Sequence, residues 1–268
     1  DDIQNVPLEN MGVTGIFTKE IERALLDDSI DIAVHSLKDL ESTLPDGLEI
    51  AAVPIREDAR DVLISKNYDS LEELPAGTQV MTGSLRRKAQ LLNLRDDLTI
   101  VNIRGNVETR LKKFQNSGSE ISGLIMAAAG LKRLELTDRV SSYLSEDVII
   151  PAVGQGALAI EARKDDKKTL KRCAKINNKT LETISKAERG FLRKMEGGCL
   201  IPVGGIGKIV DEKLELTGMI ATIDGTIVVK KTITAEISEA EKAGIHLAEI
   251  VLEDGGKEIL ESFTNNPE

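Results

Sequence analysis

The chain has few cysteines and few aromatic residues. Its 268 residues include two Cys, two Tyr and four Phe, and no Trp. Two cysteines are too few for a disulfide framework, so we expect a protein of a reducing compartment, the cytoplasm. Six aromatic side chains provide little material for stacking nucleic acid bases. The composition therefore argues against a protein that binds single-stranded nucleic acid.

The sequence also lacks long apolar runs and an excess of positive charge. No stretch approaches the roughly 18 apolar residues of a membrane span, and no basic and then apolar signal segment opens the chain. Lys and Arg number 35 against 45 Asp and Glu, which gives a net charge of −10. This balance is a poor match to a phosphate backbone. We therefore expect neither a membrane nor a nucleic acid partner, and any anion site has to be local.

The patterning predicts an α/β protein of more than one domain. A chain of this length corresponds to about two domains at roughly 150 residues each. A helix is predicted over 18–26, and short β-branched segments at 29–36 and 50–53 predict buried strands. Strands and helices then alternate from 61 to 134. Beyond a predicted helix over 181–195, a hairpin at Asp224-Gly225 and a helix over 238–252 predict a small α+β unit.

Two basic segments stand out in this acidic chain. In the segment 82–90, Thr82 and Ser84 precede a predicted helix that carries Arg86 and Arg87. Backbone N–H groups at the start of a helix and guanidinium groups can bind one anion together. Arg104 and Arg110 repeat the arrangement in the segment 102–114, where Lys112 and Lys113 are expected to face solvent. Two such segments indicate a small molecule with several carboxylates or phosphates.

A carboxylate follows the first predicted strand. Lys38 and Asp39 lie near the carboxyl end of a strand that we expect to be parallel, where open α/β sheets bind ligands. The pair is either a functional site or a solvated turn, and the residues alone leave both open. His35, within the apolar strand, is more typical of a hydrogen-bonded core residue than of a catalyst.

Cys199 lies between two pairs of glycines, just past a predicted helix. Such flexible flanks can present a thiol to a cleft for covalent attachment or nucleophilic chemistry. A small buried apolar residue is the alternative, because no base is evident nearby. Cys173, in a polar run, is expected to be incidental.

Taken in order, several motifs give the chain a specific family resemblance. They are GIFTKE (15–20), DIAVHSLKD (31–39), SLRRKAQ (84–90), IRGNV (103–107) with Thr109-Arg110, AVGQGAL (152–158) and EGGC (196–199) with Pro202-Val203. Each motif alone is weak, but the set spans nearly the whole chain. The sequence resembles the porphobilinogen deaminase family, also called hydroxymethylbilane synthases.

The resemblance implies three domains. Two doubly wound α/β lobes of the periplasmic-binding-protein type, with the active site between them, are followed by a small C-terminal α+β domain that carries the cofactor. We expect the first lobe to comprise 1–55 and 152–172, with its N-terminal strand absent. The second lobe would comprise 56–151 and the C-terminal domain 173–268.

The resemblance also implies a reaction and a set of site residues. Four porphobilinogen molecules lose ammonia and join into a linear tetrapyrrole, hydroxymethylbilane, on a dipyrromethane cofactor that would be attached to Cys199. Asp39 would be the catalytic carboxylate. The other cofactor-binding residues would be Lys38, Ser36, Thr82, Ser84, Arg86, Arg87, Arg104 and Gln155, and the substrate-binding residues Arg110, Arg133 and Phe17. No metal and no partner protein is implied, and the protein would be a monomer.

Two functional classes are consistent with these residues. One is an active transferase of heme and other tetrapyrrole synthesis. The alternative is a two-lobed small-anion-binding protein or a catalytically impaired homologue. Asp39 and Cys199 discriminate between them, because a reversible binder needs no site of covalent attachment.

Overall fold

The computed structural model describes residues 16–195 and 201–265. Eleven strands are found in this part of the chain, and they form three sheets. The strands are β1 (Ala33–Ser36), β2 (Leu48–Ala52), β3 (Asp61–Ser65), β4 (Gln79–Met81), β5 (Thr99–Val101), β6 (Ile121–Ala127), β7 (Ser142–Leu144), β8 (Leu158–Arg163), β9 (Val203–Val210), β10 (Lys213–Ala221) and β11 (Val228–Glu236).

Eight α-helices accompany these strands in the described residues. They are α1 (Ile16–Leu26), α2 (Leu85–Leu94), α3 (Val107–Gln115), α4 (Ala128–Arg133), α5 (Lys167–Cys173), α6 (Lys179–Lys194), α7 (Ala240–Val251) and α8 (Lys257–Asn265). None of the helices in the described part is long and apolar enough to cross a membrane.

The first sheet joins two distant parts of the chain. Its strand order is β1-β8-β2, and β8 pairs antiparallel with both neighbours. The parallel pairing expected for β1 is therefore not the pairing that its described residues make. The strand is also shorter than expected, because the amides of Ser29 and Ile30 donate to the Ala24 carbonyl and close the end of α1. At its centre, His35 Nε2 lies 2.9 Å from Glu161 Oε2, so His35 is the hydrogen-bonded core residue that the pattern favoured.

The second sheet has five strands in the order β5-β4-β6-β3-β7. Strand β4 is parallel to β5 and β6, whereas β3 is antiparallel to β6 and β7. Two separate clusters of buried apolar side chains pack on it, one containing Leu124 and Phe114 and the other containing Leu63 and Leu91. Apolar side chains on both faces explain why its central strands are continuously hydrophobic in the sequence.

The third sheet is an antiparallel meander in the order β11-β10-β9. Helices α6 and α7 pack against this sheet around one buried core. That core includes Phe191, Leu216 and Leu247. The Asp224-Gly225 hairpin joins β10 and β11, as the sequence predicts. Cys173, which lies in a polar run of the sequence, is buried at the end of α5. The first two sheets and their helices are α/β units, and the third sheet and its helices form a C-terminal α+β unit. This arrangement confirms the predicted fold class.

Candidate active site

Asp39 lies on a short 3₁₀ turn, Leu37–Asp39, that directly follows β1. The turn is held by its apolar neighbours, because the side chains of Leu37 and Leu40 are both buried. The Leu37 amide donates to the Ala157 carbonyl at 2.9 Å, which ties the start of the turn to the chain entering β8. Asp39 itself is exposed. The sequence therefore places a solvent-accessible carboxylate on an anchored turn.

A buried ionic network lies under this site, with Asp61 at its centre. Arg86 Nη2 donates to Asp61 Oδ2 at 2.8 Å, and Arg87 Nη2 donates to Asp61 Oδ1 at 2.8 Å. Gln155 Nε2 donates to the same Oδ1 at 2.8 Å and to the Ala59 carbonyl at 2.6 Å. Burial alone would raise the pKa of Asp61, but the charges of Arg86 and Arg87 hold that pKa well below its ordinary value. Asp61 is thus a fixed anion that orients two guanidinium groups.

Arg86 and Arg87 differ in how many of their guanidinium N–H donors are already used in hydrogen bonds within the protein. Arg86 also donates through Nη1 to the Ile150 carbonyl at 2.5 Å, so both terminal nitrogens are engaged within the protein. Arg87 Nε is buried without a hydrogen-bond partner among the described residues. A buried donor without a partner costs free energy, and such groups concentrate at functional sites. Arg87 is therefore the member of the pair that is better able to bind a ligand.

Helix α2 presents these arginines because of the turn before it. The Ser84 side chain caps the helix by accepting from the Arg87 amide at 3.4 Å, and Thr82 Oγ1 accepts from the Ser84 amide at 3.3 Å. At Gly83, a Cβ atom would lie 2.3 Å from the Ile103 carbonyl oxygen. Only glycine permits this approach. The turn therefore brings the first basic segment against the second.

The second basic segment is built on another glycine. Gly105 has a φ of +120°, and its carbonyl accepts from Arg110 Nε at 2.6 Å. Burial and the charge of Arg87 lower the pKa of Arg110, so the two guanidinium groups lie near each other. Arg104 is half-buried, and its guanidinium makes no hydrogen bond or ion pair with another described residue. Lys112 and Lys113 are exposed, as expected, and the Lys113 ammonium also donates to the Arg104 carbonyl at 3.1 Å.

Lys38 faces the same cluster from the first sheet. Burial and the charge of Arg87 lower the pKa of Lys38, whereas Asp39 and Asp61 oppose that shift. The two sheets thus bring Lys38 and Asp39 close to the ionic network. The result is a concentration of cations beside one exposed carboxylate, in a chain that is acidic as a whole.

The remaining predicted residues occupy varied positions. Ser36 ends β1 opposite Leu158 and is half-buried. Arg133 is exposed and donates to the Gly156 carbonyl at 3.3 Å. Phe17 belongs to α1, but its side chain is outside the described part of the structure, and Cys199 lies outside the described residues. The amide of Gln155 is engaged by Asp61, Ala59 and Arg87, so it supports the arginines from behind.

Sequence reasoning missed Asp61 and Glu188. Asp61 occurs in a dense charge cluster, which hides it, and only its place at the start of an apolar strand signals burial. Glu188 is fully buried on α6, where its carboxylate bonds Arg56 Nη1 at 2.6 Å and accepts from the Gly154 and Gly207 amides at 2.8 Å. Nothing in its helical pattern indicates this role. No group of three His, Cys, Asp or Glu in the described ranges is arranged to hold a metal ion.

Comparison with protein families assigns the chain in two segments. Residues 1–171 match the family model described as porphobilinogen deaminase, dipyromethane cofactor binding domain. Residues 183–253 match the porphobilinogen deaminase C-terminal domain. The chain belongs to the porphobilinogen deaminase family. The resemblance that the motifs indicated, and with it the prediction of an enzyme of tetrapyrrole synthesis, is therefore confirmed.

Curated porphobilinogen deaminases are similar along almost the whole chain. The protein of Syntrophotalea carbinolica is 45% identical over 267 residues, covering 100% of this chain and 84% of that relative. The protein of Syntrophomonas wolfei is 48% identical over 261 residues, covering 97% and 84%. Among solved structures, a nutrient binding protein from Burkholderia cenocepacia bound to methionine is 14% identical, with a TM-score of 0.40, covering 58% of this chain and 74% of that protein. The domain boundaries and the site residues of this chain stay predictions.

Proposed function

We propose that this protein deaminates and joins four porphobilinogen molecules into hydroxymethylbilane on a dipyrromethane cofactor attached through Cys199. The single observation that carries the site assignment is that Lys38, the chain neighbour of the exposed Asp39, and Arg110 both interact electrostatically with Arg87. Family membership supports the reaction and the cofactor. The position of Cys199 within the EGGC motif supports the attachment point.

The residues of the cluster fit a molecule with several carboxylates. Each pyrrole carries two carboxylates, and these must exchange water for protein donors on binding. The unpartnered Nε of Arg87 and the half-buried guanidinium of Arg104 are donors of this kind. Lys38, Arg110 and Arg133 add charge around them, while Thr82, Ser84, Arg86 and Gln155 would fix the geometry. Ser36 and Phe17 are proposed to line the same cleft.

Asp39 is proposed to stabilise positive charge during the reaction. When bound, dipyrromethane supplies the pyrrole carbon to which the first substrate molecule is joined. Loss of ammonia leaves the substrate electron-poor, so a fixed carboxylate near its pyrrole nitrogen lowers the energy of that state. The exposed side chain of Asp39 on an anchored turn suits this role without acting as a nucleophile.

The proposed attachment at Cys199 is tested by intact mass. Protein made with ample precursor is expected to exceed its sequence mass by one dipyrromethane, and peptide mapping is expected to place the addition on Cys199. Cys173→Ser should retain the adduct, because Cys173 is buried on α5. Cys199→Ser should lose it. A bare Cys199 thiol together with reversible binding of porphobilinogen would favour an anion-binding protein instead.

We also infer that the enzyme acts as a cytoplasmic monomer on a small-molecule substrate, without a nucleic acid partner. The low cysteine content and the net charge of −10 support this inference. Light scattering of the purified protein would give the mass of one chain, 29.1 kDa. A mass of two chains at micromolar concentration would contradict a monomer.

A further inference from the structure

Arg189 is a buried cation on α6 whose acceptors are backbone carbonyls. Its Nη2 donates to the Glu41 carbonyl at 2.7 Å and to the Ser42 carbonyl at 3.1 Å, and its Nη1 donates to the Leu40 carbonyl at 3.4 Å. The residue is 8% exposed. No carboxylate in the described part of the chain forms an ion pair with it. Burial lowers the pKa of Arg189 to about 10, so the guanidinium remains charged near neutral pH.

The three carbonyls belong to the residues immediately after Asp39. On the other side of Asp39, the Leu37 amide is held by the Ala157 carbonyl. The turn that carries Asp39 is therefore fixed at both ends, by the chain entering β8 before it and by Arg189 after it. The Asp39 side chain is exposed, and no hydrogen bond or ion pair with another described residue fixes it, so its position depends on this backbone.

Helix α6 is a rigid support for such a contact. The carboxylate of Glu188, next to Arg189, is fully buried. It accepts hydrogen bonds from Arg56 and from the Gly154 and Gly207 amides. Phe191 packs in the core between α6, α7 and the third sheet. Arg189 therefore connects the turn of Asp39 to a firmly held helix of the C-terminal part.

An arginine at this position is costly as a purely structural choice. Burying a guanidinium without a carboxylate partner carries a desolvation penalty that an apolar side chain of similar size avoids. A planar guanidinium, however, can donate to several acceptors in fixed directions, which neither Met nor Lys can do. The contact is thus better suited to fixing the position of the backbone of 40–42 than to stabilising the folded protein.

We propose that Arg189 is a positioning residue for the reaction, which holds the backbone of 40–42 and thereby sets the place of the Asp39 carboxylate. This inference rests on the proposed role of Asp39. Displacement of a reacting group by about 1 Å can cost up to 10²-fold in rate. Loss of the three carbonyl contacts is therefore expected to lower kcat and leave substrate affinity largely unchanged.

The test compares Arg189→Met and Arg189→Lys with Arg193→Met in cofactor-loaded protein. Arg193 lies one turn further along α6, is exposed and pairs with Glu241, so its variant is a matched control that spares 40–42. In Arg189→Met we expect kcat to fall roughly 10-fold or more, with KM for porphobilinogen changed less than about 3-fold. Arg189→Lys should retain more turnover, and the control should match wild type. Wild-type kcat in Arg189→Met would overturn the proposal.

A double-mutant cycle with Asp39→Asn separates positioning from stability. If Arg189 acts through Asp39, Arg189→Met should have little further effect on kcat in the Asp39→Asn background. Equal losses in both backgrounds would indicate a structural role and overturn the proposal, while leaving the role of Asp39 intact. Wild-type turnover in Asp39→Asn alone would overturn the role of Asp39 and this inference with it. Should Arg189→Met fail to fold, Arg189→Lys takes its place in the same cycle.

Discussion

At the scale of single residues, one exposed carboxylate carries most of the proposed chemistry. Asp39→Asn keeps the size of the side chain and removes its charge, so coupling of porphobilinogen should slow by roughly 10² or more. The protein should still fold, because Asp39 is exposed. Steady-state kinetics on cofactor-loaded protein checks this.

The conservative change at the same position is the control. Asp39→Glu retains the charge at a displaced position, so it should keep more activity than the Asn variant. Equal rates for wild type and Asp39→Asn would assign the Lys38-Asp39 pair to a solvated turn.

Asp61, by contrast, is expected to act on stability as well as on the site. Asp61→Asn leaves Arg86 and Arg87 buried without their counter-charge, so the free energy of unfolding should fall by about 3–5 kcal/mol. Asp58→Asn is a suitable control, because Asp58 pairs with the partly exposed Arg60 and should cost much less. Chemical denaturation measures both. Equal losses would show that the buried network adds no stability of its own.

The same carboxylate also gives stability a defined dependence on pH. The pKa of Asp61 is lower in the folded state than its ordinary value, which is about 3.9 in an unfolded chain. Its contribution is therefore complete above that value and decreases as the pH falls below it. The acid limb of the stability curve should be flatter in Asp61→Asn than in wild type.

At the scale of elements, the hairpin between β10 and β11 contacts helix α2, which packs on the second sheet. Gly225 has a φ of +71°, and a Cβ there would lie 2.3 Å from the Ala89 carbonyl oxygen. Asn93 Nδ2 donates to the Gly225 carbonyl at 2.9 Å. Gly225→Ala should therefore lower the free energy of unfolding through backbone strain and also through the clash with α2. We expect the clash to add about 1–3 kcal/mol to the loss from strain.

Gly77→Ala is the matched control for that prediction. Gly77 has a φ of +72°, and no atom would lie within 4 Å of a Cβ added there, so its variant carries the backbone strain alone, about 1–2 kcal/mol. Denaturation curves of the two variants isolate the contact between hairpin and helix. Identical losses would mean that the hairpin moves away from α2 at no cost.

The elements themselves were largely predictable, whereas their pairing was not. The helix over Val107–Gln115 and the strand over Asp61–Ser65 match the periodicity of the sequence. Helix α5 was missed, because its polar run shows no apolar face. The antiparallel pairing of β1 with β8 depends on contacts far apart in the chain, which local patterns do not encode. Motifs indicated the cations of the site, but the partner that orients two of them, Asp61, was hidden among other charges.

At the scale of the whole molecule, the order in which the sheets can form follows from their topology. The second sheet uses strands from one continuous stretch, 61–144, and so needs no later part of the chain. In the first sheet, His35 and Glu161 face each other across 126 positions. Contacts of such long separation form slowly, because a large loop must close first.

Because β8 is the central strand of the first sheet, this sheet can form only late in synthesis of the chain. As the chain leaves the ribosome, β1 and β2 emerge early, but the strand that joins them is made only after the whole second sheet. We expect amide protection during refolding to develop first in β3 and β6 and later in β1 and β2. Simultaneous protection of both sheets would contradict this order. The turn that carries Asp39 would be among the last parts of the enzyme to reach its place.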